Sequence, residues 1–454
     1  MRRGAWATAL VLLALLSVAP RPAWPAGFLV QEKSPRGLGS AFAGEGALAE
    51  DAATAHFNSA ALTLLEGTQA VLGMHFILPR VEFENEGSTL NPAVGHGRLR
   101  GPGAESTENA LVPSAYLAHE VTPRLHVGLA LNAPFGLSTK YDSDWVGRYH
   151  AVTSSMRTVN LEPAVGIKVN DWLALGAGMS ALYAKVTITN AIDLGSVCTL
   201  FAPSVGASPQ ICPALGLTPQ KVDGFTRITG DDWGFGWTLS ALLTPRPGTR
   251  VGLAYRSRIA LDLTGDAQFL VPKAARVLRS TGALRDTRAS ALATVPDTVA
   301  LSAYQELTSD LAVFGDITWT HWELFRDLTV TFANPAQPTV RQPQDWTNSF
   351  RYALGSRYAF SPRWSVRAGT AYDETPVPNE ALRNPRVPDS DRVWASVGFG
   401  FRWNERLRLD LGYAHVFGID TGSRNSDPVT GHVLRGTYQA GADILGVQAS
   451  LRLW

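Results

Sequence analysis

The chain has only two cysteines in 454 residues, and its 40 basic and 39 acidic side chains leave almost no net charge. Past its leader it also has no apolar run of about eighteen residues, the length a bilayer-crossing helix needs. Each shortage excludes something. Balanced charge removes nucleic acid as a partner, because holding phosphates takes a net basic face. Without a long apolar run, a place in a membrane has to be built from strands. Two thiols without clustered histidines do not make a zinc site. Asp142-Ser143-Asp144 and Asp389-Ser390-Asp391 fall short of the six or more oxygens that Ca²⁺ takes and read as solvated turns. No metal and no other cofactor is expected. Gly37-Leu38-Gly39 with Gly44 has the wrong spacing for a dinucleotide loop. The nine histidines include no His-Glu-x-x-His pair, and no Gly-x-Ser-x-Gly elbow occurs. The chain is therefore not expected to be an enzyme, although a barrel hydrolase with Ser, His and Asn dispersed over several strands would escape such spacing tests. Cys198 and Cys212 share one presumed loop. In an oxidising compartment the expectation is a disulfide that staples it, worth roughly 3 kcal/mol.

What is present begins with a leader. Met1-Arg2-Arg3 is basic and residues 5–19 are apolar over a secretory length, the pattern of an export signal. Cleavage after Ala19 satisfies the small-residue rule but puts Pro20 first; cleavage after Ala26 leaves Trp24 where a small residue is usual. No linker or composition break divides the rest of the chain, so one large unit is expected.

That unit alternates with period two. Along 250–264 the odd positions Val251, Leu253, Tyr255, Ser257, Ile259, Leu261 and Leu263 form a greasy face. Arg250, Gly252, Ala254, Arg256, Arg258, Ala260 and Asp262 form a small or charged one. The same holds for Leu407, Leu409, Leu411 and Tyr413 against Arg406, Arg408 and Asp410, and for Val393 to Phe401. A strand between lipid and a polar lumen needs this division. Short connections at 122–124, 170–171, 244–249, 306–310, 360–363 and 403–405 alternate with long ones at 87–107, 134–150, 191–224, 266–293, 331–345, 374–391 and 420–434. Six turns at one end and seven loops at the other give fourteen antiparallel strands, the asymmetry of an outer-membrane barrel. Trp145, Tyr149, Trp172, Trp233, Trp237, Trp319, Trp322, Trp364 and Trp394 fall near strand ends and read as aromatic girdles. Trp454, the candidate outward aromatic for the assembly machinery, lies one residue out of register with Ala449, Leu451 and Leu453.

Residues 27–65, rich in Gly and Ala, lack this alternation. They read as a plug folded inside the barrel. The expected organisation is an export signal, a plug or hatch 27–65, and an all-β transmembrane barrel 66–454.

A set of short motifs runs in order along the chain: Gly27-Phe28, Gly37-Leu38-Gly39, Gly44-Glu45-Gly46-Ala47 with Asp51-Ala52, Phe135-Gly136-Leu137 and Asp144-Trp145-Val146-Gly147-Arg148-Tyr149. The stretch from Gly230 to Gly236 comes next, then Tyr255-Arg256-Ser257, Trp319-Thr320, Asp373-Glu374-Thr375-Pro376-Val377-Pro378 and Pro388-Asp389-Ser390-Asp391-Arg392. In this order and on this strand rhythm, the chain resembles the FadL/TodX family of outer-membrane transporters for long-chain fatty acids and other hydrophobic compounds. The resemblance places cleavage after Ala26. It implies a monomeric plugged barrel in the outer membrane of a Gram-negative-type bacterium. Its partners would be hydrophobic small molecules, the lipid bilayer and the outer-membrane assembly machinery. Ligand would be captured among extracellular loops, passed to a pocket at the plug's start, and released laterally near a kinked third strand. Phe28 maps to a pocket aromatic or to lumen packing. Asn58, Ser59 and Ala60 map to the plug motif facing the third strand, whose kink or end falls around Asn132, Pro134 and Gly136. Ser59 stands where the family has proline, which frees φ and restores a backbone donor. Leu194, Leu200, Phe201, Leu215 and Leu217 are candidates for the capture groove or for a loop core stapled by Cys198 and Cys212. Arg148, Lys185 and Arg227 suit a ligand carboxylate chemically, or serve as strand-end salt bridges. The competing readings are a barrel lipase or esterase and an open diffusion porin.

Overall fold

The computed structural model describes residues 27–453. The leader 1–26, with its two candidate cleavage points, and Trp454 lie outside the described residues.

Strand segments join edge to edge into one closed antiparallel barrel of fourteen wall strands. They begin with β1 (Thr68–Asn85), β2 (Ala104–Ser106 and Ala110–Thr122), β3 (Leu125–Asn132 and Gly136–Lys140), β4 (Thr153–Lys168), β5 (Leu173–Asp193), β6 (Asp223–Arg246) and β7 (Thr249–Arg256 and Ile259–Leu270). The second half is β8 (Thr287–Val295 and Thr298–Glu306), β9 (Leu311–Thr320 and Asp327–Phe332), β10 (Val340–Pro343 and Ser349–Ala359), β11 (Trp364–Asp373), β12 (Arg392–Arg402), β13 (Leu407–Gly418 and Thr421–Ser426) and β14 (Val433–Arg452). Each pairs with its neighbour in sequence. β1 closes the ring on β14, from Gln69 opposite Arg452 to Asn85 opposite Gly436.

Closure leaves no free edge, and the pleat sends alternate side chains out and in. Leu72, Phe76, Leu117, Leu175, Met179, Leu301 and Leu354 stand exposed on the outside. In water so much exposed apolar surface would drive association; on a barrel wall it is the face that meets lipid. A shallow trough of about 840 Å³, lined chiefly by outward residues such as Leu301, Ile317 and Leu354, lies on this face and not in the lumen.

Several stretches expected as loop are strand: Ala104–Ser106, Gly136–Lys140, the start of β8, Val340–Pro343, which pairs with Asp327–Phe332, and Thr421–Ser426. Here the wall runs on past the apolar band. Both faces become polar there, so pairing continues after the alternation that announces it has faded. A helix, Leu194–Phe201, forms inside the long connection after β5.

The face reading of 250–264 needs correction. Leu253 points out, but Ile259, Leu261 and Leu263 are buried inside, while Arg258, Ala260 and Asp262 face out. β7 breaks at Ser257 and Arg258, where Ser257 N–H donates to the Trp237 carbonyl (2.9 Å) and its Oγ accepts from Trp237 N–H (2.9 Å). An irregularity there exchanges the two faces of everything beyond it. The girdle reading is corrected as well. Trp172, Trp233, Trp237 and Trp364 are exposed on the wall, but Trp145, Tyr149, Trp322 and Trp394 are buried inside.

Candidate functional site at the break in the third strand

Residues 27–65 fold as short pieces enclosed by the wall. α1 (Pro35–Leu38) starts on Ser34, whose Oγ accepts from Gly37 N–H, with proline in the first turn, where its missing N–H costs nothing. α2 (Glu45–Leu48) and α3 (Thr54–Phe57) come next, then a 3₁₀ stretch, Ser59–Leu64, capped by the Asn58 side chain accepting from Ala60 N–H. None has two full α-turns, so none displays helical periodicity. Leu38, Ala41, Ala43, Ala47, Ala52 and Ala60 are wholly buried, because small side chains let the segment and wall come close. Ala41, Phe42 and Ala49 are left-handed, with φ of 53°, 56° and 48°. Such residues without glycine's freedom cost about 1–2 kcal/mol each. The segment therefore holds strain that its packing overcomes.

Its beginning meets the wall where β3 is interrupted. The β2–β3 ladder ends with Ala115 opposite Leu131; above that, Gly136–Lys140 pairs with β4. The open edge at 134–136 is taken by Phe28–Val30: Gly136 N–H donates to the Phe28 carbonyl and Val30 N–H to that of Pro134, both at 2.9 Å. The three residues thus add a short antiparallel strand to the break, with Leu29 opposite Phe135. Phe28 enters a ring of aromatics, with centroids 4.7 Å from Trp322, 5.5 Å from Phe325, 5.8 Å from Trp346 and 6.1 Å from Phe135. Leu182, Ile259 and Leu261 complete this apolar cluster. Gly27 N–H donates to buried Asp389 (3.0 Å), which also accepts from Thr375 and Arg392. The turn at 389–391, expected to be solvated, is therefore a buried clasp for the segment's start. The turn at 142–144 is exposed.

The side-chain hydrogen bonds of Asn58 and Ser59, and that of Ala60 N–H to Ser240, run within the segment and to β6 rather than to β3. Asn58 Nδ2 donates to the Gly46 and Ala241 carbonyls (2.7 and 3.1 Å), and Ser59 Oγ lies 3.0 Å from Ser240 Oγ on β6. The main chain at Ser59 and Ala60 lies so close to Gly166 of β4 and Gly176 of β5 that a Cβ on either glycine would fall 2.4 or 2.2 Å from it. Only glycine fits, and this docking seats the motif on β4–β6. Ser59 gives the wall a hydroxyl contact that proline lacks. Both motifs nevertheless border one internal cavity of about 110 Å³, lined by Leu29, Lys33, Asn58, Ser59, Pro134 and Phe135 among others. Asn132 lies beside it in a polar chain, receiving a contact from Asn160 and reaching Tyr116.

Two charged clusters tie the segment down. Arg36 contacts Asp51 (2.7 Å), Glu50 (3.4 Å) and Asp410 of β13 (3.4 Å). Glu50 also accepts from Arg357 of β10 and from Arg367 of β11 (2.8 Å), and Arg367 bonds Asp410 (2.9 Å). Burial pushes Glu50 upward, but Arg367, Arg357 and Arg36 outweigh it and hold the carboxyl well below its usual range. Desolvation first, then the charge of Asp51, push half-buried Glu45 up to about 8. In the second cluster His56 Nδ1 is 2.8 Å from Glu162, and Arg256 donates to Glu162 (2.9 Å) and to the His56 carbonyl (2.8 Å). Burial and Arg256 push His56 down to about 4, so the neutral ring donates its Nδ1–H to the carboxylate.

Among the loop candidates, Leu194 and Leu217 are wholly buried and pack with Cys198 and Cys212 into a loop core, whereas Phe201 and Leu215 are exposed beside half-buried Leu200. Cys198 and Cys212 are joined. Replacing both by serine is expected to loosen this subdomain by roughly 3 kcal/mol. Hydrogen exchange should rise over 194–217 with no change in residues 27–65. Arg148 is buried among loop residues. It bonds Asp223 (2.8 Å), Tyr149 OH (2.6 Å) and the carbonyls of Arg100 and Trp145, and so ties loops together.

Sequence reasoning missed the partners of Phe28. Trp322, Phe325 and Trp346 lie in connections without alternation, and four tryptophans and phenylalanines between 322 and 346 were the one signal available. Glu162 and Arg256 were missed because single charged residues on inward strand faces look alike, and Glu50 and Lys33 because residues 27–65 carry no pattern.

The family described as "Outer membrane protein transport protein (OMPP1/FadL/TodX)" matches residues 16–453. The long-chain fatty acid transport protein of Escherichia coli O6:H1 is 27% identical over 418 residues, covering 90% of each chain. Outer membrane protein P1 of Haemophilus influenzae Rd is 28% identical, covering 87% of this chain and 86% of its own. The crystal structure of a Pseudomonas aeruginosa FadL homologue superposes with a TM-score of 0.84 at 25% identity, over 94% of this chain and all of the other. The fold is shared too by the Pseudomonas putida toluene transporter TodX, with a TM-score of 0.67 at 17% identity over 88% of this chain and 94% of its own. With a closed fourteen-stranded barrel and a family match along nearly its whole length, the chain belongs to the OMPP1/FadL/TodX family of outer-membrane transport proteins.

Proposed function

We propose that this protein takes up long-chain fatty acids or other hydrophobic molecules across the outer membrane, with residues 27–65 as its gating plug. Ligand is caught by apolar residues of the outer loops, passes to the aromatic cluster at the break in β3, and leaves sideways where β2 and β3 part. One observation carries this reading: the unpaired edge of β3 is covered by Phe28–Val30, and Phe28 fills the adjoining apolar cluster. An acyl chain entering that cluster competes for the surface Phe28 covers. Removing a buried phenylalanine from a core costs about 3–5 kcal/mol, and each buried methylene returns about 0.8 kcal/mol. About six methylenes therefore offset the undocking of Phe28, well within a long-chain acid. Displacing the start of the plug frees the edge of β3, and ligand binding and release become one event.

Transport is preferred to hydrolysis because the matched family is one of outer-membrane transport proteins. Against an open pore, most of residues 27–65 are buried within the wall. The test is expression in cells lacking their own uptake proteins. Labelled oleate is expected to enter, and the purified barrel in a planar bilayer is expected to show no large steady conductance. No oleate entry together with ohmic conductance would sink the reading in favour of a porin.

A further inference from the structure

Lys185 and Arg227 suit a ligand carboxylate chemically, but both face away from the lumen. On β5, exposed Lys185 lies between buried Ala184 and half-buried Val186, which packs against the Phe28 cluster. On β4, exposed Arg157 lies between Met156, which joins the same cluster, and buried Thr158. On β6, exposed Arg227 lies between buried Thr226 and Ile228, which packs into the loop core. All three cations therefore project from the outer face of the wall. The register sets Arg157 directly opposite Lys185. In an antiparallel ladder such residues stand about 5 Å apart at Cα, and like charges there repel. The flanking strands do little to relieve this. Gly136, opposite Arg157 on β3, has no side chain, and Asp231, opposite Lys185 on β6, is a single carboxylate against two cations. Among the described residues Arg157, Lys185 and Arg227 have no ionic or side-chain hydrogen-bonded partner.

Their height decides what meets them. β5 starts after the short turn at 170–171 and climbs toward the long connections. From Leu173 to Tyr183 it makes ten steps of about 3.3 Å at a tilt of about 40°, a climb of about 25 Å. That is the height of the apolar band on an outer-membrane barrel. Its far edge is marked by Val159, Tyr183 and Trp233, side by side in register, with the Tyr183 and Trp233 rings 5.3 Å apart. Arg157 and Lys185 are the next outward pair beyond this row, level with lipid headgroups. A phosphate accepts from a guanidinium and an ammonium together, which turns their repulsion into a bridge. A free anion matches the charges alone, whereas a phosphorylated lipid matches the charges and the aromatic row together. We propose that Arg157 and Lys185 form a docking site for the phosphate of an outer-leaflet lipid, whose acyl chains lie against Val159, Tyr183 and Trp233 beside the break in β3.

The test uses the full chain purified in a non-ionic detergent, with lipid retention read by native mass spectrometry. The probes are lipid A, a glycolipid with two phosphates, and the same lipid stripped of both, so that the chains are identical. The wild-type protein is expected to bind the phosphorylated form more tightly. Arg157→Gln combined with Lys185→Gln is expected to lower that affinity about 25-fold, about fivefold for each cation beside a lipid surface, and to leave the stripped form unchanged. Arg157→Lys combined with Lys185→Arg is expected to retain binding. Lys273→Gln, which removes an exposed cation from the loop after β7, controls for surface charge at large and is expected to change nothing. Substitutions on the outer face leave the main-chain ladders in place, which heat-modified mobility of the barrel checks. Equal loss for both lipids, no loss for either, or the same loss from Lys273→Gln overturns the site. Displacement of lipid A by inorganic phosphate at equal concentration assigns the pair to free anions and overturns the lipid site.

Discussion

Oxidising a Leu29→Cys, Phe135→Cys double variant is expected to abolish oleate uptake while ligand capture at the cell surface continues. The two positions face each other across the short ladder at the β3 break. The flanking bonds, Gly136 N–H to Phe28 and Val30 N–H to Pro134, make 29 and 135 a non-hydrogen-bonded pair. In such pairs the Cα atoms approach to about 4.5 Å, within the range a disulfide bridges. The crosslink fixes the added strand to β3 without touching the apolar loops that meet ligand first. If release requires residues 28–30 to leave the edge, uptake falls to the level of cells without the protein. Reduction by dithiothreitol restores it, apart from the packing lost with Phe135. Each single cysteine variant serves as its control. Full uptake by the oxidised, quantitatively crosslinked protein would mean that ligand passes with the plug's start in place, and the gating mechanism would fall.

The wall was legible in the sequence and the site much less so, and the difference has a physical origin. A strand between lipid and lumen is constrained at every second residue, so Leu407 to Tyr413 announces itself without any partner being known. The constraint weakens where lipid ends, which is why Thr421–Ser426 and Gly136–Lys140 read as loop although they pair. It also misleads at a bulge. The unbroken alternation of 250–264 hides the exchange of faces at Ser257, and with it the inward course of Ile259 and Leu261 to the Phe28 cluster. The segment 27–65 was visible only as an absence of pattern. Its conformation depends on what surrounds it: Ser59 and Ala60 lie on Gly166 and Gly176, more than a hundred residues away in sequence, and nothing local specifies that contact. Charge pairing is less legible still. Arg36, Arg357, Arg367 and Asp410 come from four separate stretches, and Glu50 gathers three of them only after the barrel has closed.

That gathering makes Glu50 the position where one substitution should unseat the plug. Glu50→Ala leaves buried Arg36 and Arg367, with half-buried Arg357 beside them, around Asp51 and Asp410 as the remaining carboxylates. Removing one partner from a buried ionic group typically costs about 3–5 kcal/mol, because the charges left behind cannot regain water. The wall does not share this loss, since its ladders close through main-chain bonds from β1 to β14. The expected variant is a folded, heat-modifiable barrel whose residues 34–51 leave the wall of β10–β14. A planar bilayer should then record steady ohmic conductance where the parent protein is silent, and cells should become sensitive to antibiotics too large for ordinary porins. Glu50→Gln keeps the shape and some hydrogen bonds but removes the charge, and should fall between the two. The pH response has a definite sign. A carboxyl held below its ordinary value stabilises docking above its undocked pKa of about 4.3 and loses that contribution as pH falls toward the depressed value. The parent plug should accordingly stay anchored by Glu50 at pH 5 and loosen only in stronger acid, while Glu50→Ala conducts at both pH 5 and pH 7. A silent Glu50→Ala barrel would show that the Arg36–Glu50 cluster does not hold the plug, leaving Asp389 and the Asn58–Ser59 docking to do so.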